Sequence, residues 1–146
     1  MTHPTKLTAT CLHCGSVCVA MRAGDVYRAA HAAWADKILH VCPFCPDSRV
    51  GSHPGTDEPL GFAADGPTRQ ARMRLHQDML DPIWKAAPRH EQKAARIVVY
   101  QYLSHVMGLP EAHVGEFTIE QCREAWQALS NETLEGIEFF MQEVAA

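Results

Sequence analysis

Two short cysteine motifs decide the fold of this chain: C-L-H-C at residues 11–14 and C-P-F-C at residues 42–45, with 27 residues between them. Each C-x-x-C spacing makes a tight turn that points two sulfur atoms at one position, and two such turns held by a small β-structure form a closed tetrahedral site. Thiolate ligands select zinc over hard cations. The motifs therefore predict one structural Zn²⁺ ion bound by Cys11, Cys14, Cys42 and Cys45.

The residues around these motifs leave alternatives open. An iron–sulfur cluster fits the same four thiolates, and His13 or His40 could replace a cysteine. Disulfides are a further alternative, although paired C-x-x-C spacing in a reducing compartment favours metal. We expect Cys18, in a strand-like stretch, to be a small buried hydrophobe. Because four protein thiolates leave no position for water or substrate, the predicted zinc is structural.

The composition is that of a folded globular domain. The chain has 146 residues, of which 47% are hydrophobic and 21% charged, well away from the composition of disordered chains. The N-terminus lacks the apolar core of a signal peptide, and no segment approaches the roughly 18–20 consecutive apolar residues of a membrane span. We therefore predict a cytoplasmic protein that does not contact membranes.

Charge is unevenly distributed along the chain, with a net value of −4. Residues 61–105 carry seven basic and four acidic side chains, whereas residues 106–146 carry one basic and eight acidic side chains. Proteins that bind nucleic acid with their whole surface usually have a strong basic surplus. This distribution argues against such binding, and the acidic tail is either a solvated helix face or a contact for a basic partner.

Before residue 61 the sequence predicts short strands and turns. Residues 17–21 and 25–28 are β-prone and suit a hairpin, residues 29–37 form an Ala-rich helical insertion, and residues 38–41 form a return strand. Residues 47–61 are rich in Gly and Pro and predict a loop.

After residue 61 the sequence predicts four helices. The first covers residues 68–80 and ends or kinks at Asp81-Pro82. The second covers residues 94–107 and stops at Gly108. The third begins at a capping box of Thr118 and Gln121 and runs to about residue 129, with Cys122 and Trp126 facing the core. The fourth covers residues 132–144.

The predicted fold class is α+β: a zinc ribbon of β-hairpins in residues 1–60, packed on a helical region in residues 61–146 as one compact unit.

A series of motifs resembles a phage- and prophage-associated zinc-finger-containing family. After the paired cysteines come V-G-S-H-P-G-T-D-E-P-L-G at residues 50–61, R-M-R-L-H at residues 72–76, Ile83-Trp84, Y-Q-Y-L at residues 100–103 and H-V-G-E-F-T-I-E-Q-C at residues 113–122. The resemblance covers roughly residues 10–128; residues 29–36 look longer than in the family, and residues 131–146 lie outside it. It implies a zinc ribbon and a mobile-element setting, and it implies no reaction.

Several other residues are candidates for binding or catalysis. His53, His76 and His113 could act as general acids or bases on a phosphodiester, with Arg69 and Arg72 stabilising its charge. The structural alternative is that these histidines support their loops and helix. Arg74 belongs with Arg69 and Arg72 to a basic stretch that could contact phosphate; it continues through Lys85, Arg89, Lys93 and Arg96. In the 29–37 insertion, Trp34 could stack on a base or anchor a partner.

These observations favour a non-enzymatic binding module whose partner is either a nucleic acid or a host protein. One alternative is a small nuclease or other phosphate-processing enzyme that uses His53, His76 or His113. Another is a protein-directed inhibitor of host defence that acts through the acidic C-terminal helices.

Overall fold

The computed structural model describes residues 8–27 and 34–146. It has a mixed α/β fold with two compact units, Met1–Arg69 and Gln70–Ala146. The first unit holds a three-stranded sheet and the second is built from helices. In the described residues, no helix is both long enough and apolar enough to span a membrane.

The sheet of the first unit is antiparallel, with strand order β1-β2-β3. Strand β1 is Val19–Arg22, β2 is Ile38–Val41 and β3 is Arg49–Val50. Val19 lies opposite Val41 in the β1–β2 pair, and His40 lies opposite Val50 in the β2–β3 pair. The predicted return strand at residues 38–41 is confirmed. Strand β3 lies inside the predicted loop, because a two-residue strand is too short to show an alternating pattern.

The predicted hairpin between residues 17–21 and 25–28 is wrong. Ala23–Val26 forms a single helical turn, α1, and β1 pairs with β2 instead. Gly24 and Asp25 have low β-propensity, whereas β2 offers an apolar strand with four paired positions. Backbone bonds from Ala23 N to Lys37 O and from Gly24 N to Ala35 O, both 2.8 Å, close the connection. Most of the predicted helical insertion, and residue 28, lie outside the described residues.

Among the described residues, the first unit has a small hydrophobic core in which three of the six buried residues are cysteines. Its buried members are Ala9, Cys11, Cys18, Cys42, Val50 and Ala63. Such a core removes little apolar surface from water, so it contributes little hydrophobic stabilisation. We infer that the stability of this unit depends on what holds its cysteines together.

The second unit begins within a long helical segment. Helix α2 is Gly66–Arg74; a π-helical turn, Leu75–Leu80, and helix α3, Asp81–Trp84, follow without a break. The predicted helix therefore continues past Pro82. Proline lacks a backbone N–H and its ring crowds the preceding turn, and the wider π-helical turn, in which Asp81 N–H bonds to His76 O, directly precedes it.

The remaining helices of the second unit surround α4, which is Gln92–Met107. Short 3₁₀ turns, Arg89–Glu91 and Val114–Glu116, precede α4 and α5. Helix α5 is Ile119–Leu129 and α6 is Leu134–Ala145, so the helices predicted after residue 92 are confirmed within two residues. Helices α3, α5 and α6 all contact α4. The core contains thirteen buried side chains, among them Leu75, Val99, Leu103, Phe117 and Ile137.

Two details of the helices follow local rules and one departs from them. Gly108 ends α4 with φ of 67°, in the left-handed region that glycine adopts without strain. The capping box of Thr118 and Gln121 at the start of α5 is confirmed. Cys122 is buried as predicted, but Trp126 is 37% exposed, and Ala125 takes the core position between Cys122 and Leu129.

Candidate metal centre

The four cysteines predicted to bind zinc lie together in the first unit. The Sγ atoms of Cys11, Cys14, Cys42 and Cys45 are all within 4.8 Å of one another. A tetrahedral site with Zn–S distances of ~2.3 Å has sulfur–sulfur edges of roughly 3.8 Å, and the Cys14–Cys42 separation is 3.5 Å. The two C-x-x-C turns therefore present four sulfur atoms at the spacing that one zinc ion requires.

Each turn has the local hydrogen bonds of a metal-binding knuckle. In the second turn the backbone amides of Phe44 and Cys45 donate to Cys42 Sγ at 3.4 and 3.3 Å. In the first turn Gly15 N donates to Cys11 O at 2.9 Å, with Gly15 at φ of 77°. Backbone N–H groups therefore close both turns, and in the second turn they point at one of the four sulfur atoms.

The pKa values of three of the four cysteines depart from the ordinary value in different directions. Burial raises the pKa of Cys11, but hydrogen bonds from Ser48 and from backbone amides outweigh it and lower the net value. Hydrogen bonds with Ser16 lower the pKa of Cys14 to about 6. The pKa of Cys45 rises to about 12, chiefly through its hydrogen bond with Cys14. Successive deprotonations within one cluster become harder, so a dication is needed to hold four thiolates together.

The donor set fits zinc. All four ligand atoms are sulfur, two of the residues are almost fully buried, and four thiolates complete a tetrahedral shell. Among the residues that the structure describes, no other group of three or more His, Cys, Asp or Glu side chains has this arrangement. A metal held in this way supports the fold of the first unit and leaves no coordination position for a reactant.

The comparison with known families agrees with this geometry. A family model for a zinc-finger-containing domain matches residues 7–132. The chain belongs to this family. No curated protein and no solved structure matches it. A zinc-finger-containing domain with these four clustered cysteines is consistent with one structural Zn²⁺ ion.

Other residues near the metal centre of this zinc-finger-containing domain have structural contacts. Cys18 is buried beside the cluster without belonging to it, and burial raises its pKa to about 11, so it is a neutral, buried thiol as predicted. His13 Nε2 accepts a hydrogen bond from Asp65 N at 3.0 Å. His40 is fully buried, and its Nε2 lies 2.8 Å from Asp57 O. Neither histidine belongs to the four-residue group.

Asp47 organises the chain after the second turn, and the sequence analysis missed it. It has φ of 60°, and its carboxylate accepts hydrogen bonds from Arg49, Arg69 and Gly66 N. Hydrogen bonding to Arg69 lowers the pKa of Asp47. Arg69 also donates to Ala64 O at 2.7 Å. A short acidic residue directly after C-P-F-C-P, able to adopt the left-handed conformation, is the signal that could have identified this contact.

The basic residues predicted to bind phosphate do not form one exposed face. Arg69 is engaged by Asp47 and Ala64. Arg72 is only 6% exposed, and its Nε donates to Phe117 O at 2.9 Å. Arg74 is exposed and lies 3.8 Å from Asp78 one turn further along. The sequence placed all three at the surface because helical spacing alone does not show that the segment containing Phe117 covers Arg72.

The three candidate histidines have separate surroundings. His53 is exposed in its loop, where its backbone bonds to Glu58 O and Thr56 N. His113 is exposed, with Nε2 3.5 Å from Glu111 Oε1. His76 is half-buried, and its Nδ1 lies 3.3 Å from the hydroxyl of Tyr100. Burial lowers the pKa of His76; Asp81 opposes this shift and Arg96 adds to it. The structure thus gives His76 the partners Tyr100 and Arg96.

The tryptophan in the predicted insertion is held by an aromatic neighbour. Trp34 is half-buried and packs against Tyr27, with ring centroids 5.6 Å apart and an interplanar angle of 71°. Arg49 stacks on the ring of Tyr27, with its guanidinium carbon 4.5 Å from the ring centre. Trp34 therefore makes a structural contact with Tyr27, whether or not it also binds a partner.

Proposed function

We propose that this chain is a zinc-ribbon accessory protein of phage or prophage origin that acts in the cytoplasm as a non-enzymatic binding module. Its partner is a nucleic acid or a host protein. The closed set of four thiolates carries this proposal, because a metal with no open position stabilises a fold and does not activate a substrate. The knuckles and the antiparallel sheet support the ribbon assignment, and the resemblance of the ordered sequence motifs supports the phage setting.

Zinc content tests the metal part of the proposal. The purified chain is expected to hold about one zinc ion by elemental analysis, and Cys42→Ala is expected to lose it, because that thiol is buried within the cluster. Structural zinc contributes an apparent ~10–16 kcal/mol at neutral pH in finger peptides, as much as or more than the ~5–15 kcal/mol stability of a whole domain. Cys122→Ala, in the second unit, is the matched control and should keep its zinc. A metal-free parent chain would contradict the proposal.

Cation–aromatic pairs on the second unit support a nucleic-acid partner. Lys85 lies 5.3 Å from the centre of the Trp84 ring, and Arg96 lies 5.3 Å from the centre of the Tyr100 ring. Lys85 and Arg96 are both exposed. Surfaces that combine cations with aromatic rings bind single strands by backbone contacts and base stacking.

Salt-dependent binding measures whether these cations contact phosphate. Arg74→Gln, Lys85→Gln and Arg96→Gln together should weaken DNA or RNA binding almost regardless of sequence and lower the salt slope by roughly one per lost contact. Arg69 and Arg72 are unsuitable for this test, because their side chains hold the fold. Arg123→Gln, an exposed change on α5, is the control. Unchanged binding in the triple variant would remove nucleic acid as the partner of this surface.

A phosphate-processing enzyme is the second candidate, and the His76–Tyr100 contact is the observation that favours it. A half-buried imidazole with a lowered pKa is neutral at pH 7 and can accept a proton. General acid–base groups typically supply ~10²- to 10⁴-fold in rate. We expect no turnover of simple nucleic-acid substrates. Reproducible cleavage that disappears in His76→Gln, with affinity retained, would replace the binding proposal with this one.

Inhibition of a host defence protein is the third candidate. Helix α6 carries exposed carboxylates at Glu135, Glu138 and Glu143 and no basic residue. Such a helix offers a charged surface to a basic protein partner. A pull-down from host cells, with nuclease treatment of half the sample, separates a protein partner from one that is held through nucleic acid.

A further inference from the structure

A solvent-open cleft lies in the second unit, where the beginnings of α4 and α6 come together. Its volume is about 550 Å³, within the ~300–1,000 Å³ range of ligand pockets. One wall is the turn before α4 and the first half of α4, and the other wall is the start of α6. The family match ends at residue 132, so the α6 wall comes from the part of the chain that follows the matched domain.

Small apolar side chains make up a large part of the cleft lining. Alanines supply much of it, and their short side chains leave the space that larger residues would fill. The apolar lining includes Ala87, Ala94, Ala95, Val98 and Leu134. This part of the lining accommodates an aliphatic chain without unsatisfied polar groups.

Three carboxylates also line the cleft. Glu91 is the last residue of the 3₁₀ turn before α4, and Glu135 and Glu138 come from the first turns of α6. No lysine or arginine belongs to its lining in the described residues, and the imidazole of His90 lies 3.5 Å from the Glu91 carboxylate. Carboxylates of one sign in a concave, partly apolar site raise the local concentration of cations. The complementary ligand therefore has a positive charge on an aliphatic stem.

We propose that this cleft binds a lysine or arginine side chain from an extended peptide segment of a protein partner. The aliphatic stem lies on the alanine-rich part of the lining, and the charged end meets Glu91, Glu135 and Glu138. Lysine and arginine bury their methylene stems on apolar surface while the charged group stays in a polar environment. This inference deepens the protein-binding form of the proposed function and rests on it.

The test uses the zinc-loaded full chain and defined probes. Acetylated, amidated peptides of sequence Ala-Leu-Lys-Ala-Leu and Ala-Leu-Arg-Ala-Leu are titrated and followed by amide chemical shifts, with the Ala-Leu-Gln-Ala-Leu peptide as the neutral comparison. We expect shifts concentrated at Glu91, Ala94, Glu135 and Glu138. The basic peptides should bind roughly tenfold more tightly than the Gln peptide, the ratio that one partly desolvated ion pair supplies, and added salt should reduce that ratio.

Variants separate the cleft from the general acidity of α6. The double change Glu135→Gln with Glu138→Gln removes the charge, and Ala94→Trp fills the cleft at an exposed position where a large side chain does not disturb the core. Both should weaken the basic peptides about tenfold or more. Glu143→Gln removes one charge from the same helix outside the cleft lining and should leave binding unchanged. Circular dichroism shows whether each variant is folded. If one variant fails to fold, the other alone still tests the cleft proposal.

Several results would overturn the cleft proposal. Equal binding of the Gln and Lys peptides would do so, and so would full affinity of the basic peptides for Ala94→Trp. Identical shifts and affinity with spermidine would assign the site to a free small cation. Self-association lost in the same variants would assign it to a second copy of this chain. A host protein that still co-purifies with the cleft variants would end the cleft inference and leave the proposed function standing. Loss of zinc binding would instead contradict the ribbon proposal and leave the cleft unaffected.

Discussion

Arg72 lies in the interior of the second unit, where its Nε donates to Phe117 O. Replacing it by alanine leaves a buried carbonyl without that donor, a cost of roughly 1–3 kcal/mol, and removes the packing of its methylene stem. We expect Arg72→Ala to lower the free energy of unfolding by at least that amount in urea titrations. Exposed surface changes usually stay within about 0.5 kcal/mol, so Arg74→Gln should leave it nearly unchanged. Equal stabilities for the two variants would show that Arg72 is not held as described.

His76 is the residue whose protonation should report on its surroundings. Burial lowers its pKa below the ordinary value of 6.5, so the folded state favours the neutral ring. Between the folded pKa and 6.5 the unfolded chain binds more protons, and stability therefore rises with pH through that window and is fully present above it. An NMR titration of the imidazole protons should give a pKa below 6.5. A His76 value at or above 6.5 would contradict its burial.

At the scale of elements, a capping box marks the start of α5. The side chain of Thr118 accepts a hydrogen bond from Gln121 N at 3.1 Å, and Gln121 bonds back to Thr118 N at 2.9 Å. Loss of a capping residue typically costs about 0.5–2 kcal/mol. Thr118→Ala should therefore lower the urea midpoint, whereas Thr118→Ser, which keeps the hydroxyl, should retain most of the stability. A Thr118→Ala chain as stable as its parent would show that the cap does not support α5.

The π-helical turn before Pro82 lies in a helical segment that continues through a proline. Its extra residue allows the helix to continue into α3, and Trp84 Nε1 then donates to Asp81 Oδ1 at 3.1 Å. Sequence rules treat such a proline as a helix end or kink. Packing of Leu75, Leu80 and Ile83 into one core keeps the segment helical here, because burial of three large side chains outweighs the local cost.

At the scale of the whole molecule, the two units have cores of different chemistry. Among the described residues, the hydrophobic core of the first has six buried members, three of them cysteines, and that of the second has thirteen, none of which belongs to the metal-binding group. Metal removal should therefore act on one unit selectively. This asymmetry follows from composition: Leu, Val, Phe and Ile supply most of the large buried side chains after residue 70.

Chelation of the full chain tests this asymmetry. We expect a strong zinc chelator to collapse the amide signals of the first unit while the far-ultraviolet circular dichroism retains most of its helical signal. Re-addition of zinc should restore the lost signals, and the chelator saturated with zinc beforehand is the control. Simultaneous loss of both units would contradict the selective effect, and an unchanged spectrum and melting curve would contradict a structural role for the metal.

The sequence by itself determined the features that depend on residues close together in the chain. The C-x-x-C turns, the capping box at Thr118, the stop at Gly108 and the existence of the later helices follow from local spacing, conformational preference and periodicity. The four cysteines could be grouped across 27 intervening residues because one ion needs four ligands, which makes the two turns partners wherever the chain between them runs.

Only the tertiary structure decided the features that depend on distant neighbours. It paired β1 with β2, buried Arg72 against Phe117 O, joined Asp47 to Arg69, and gave His76 the partner Tyr100, 24 residues away. Helical periodicity predicts that a face is covered but does not identify the segment that covers it. An arginine at a helix surface and one beneath a neighbouring loop have the same local sequence, and the free energy of burying it depends on the hydrogen-bond acceptor that the fold brings to it.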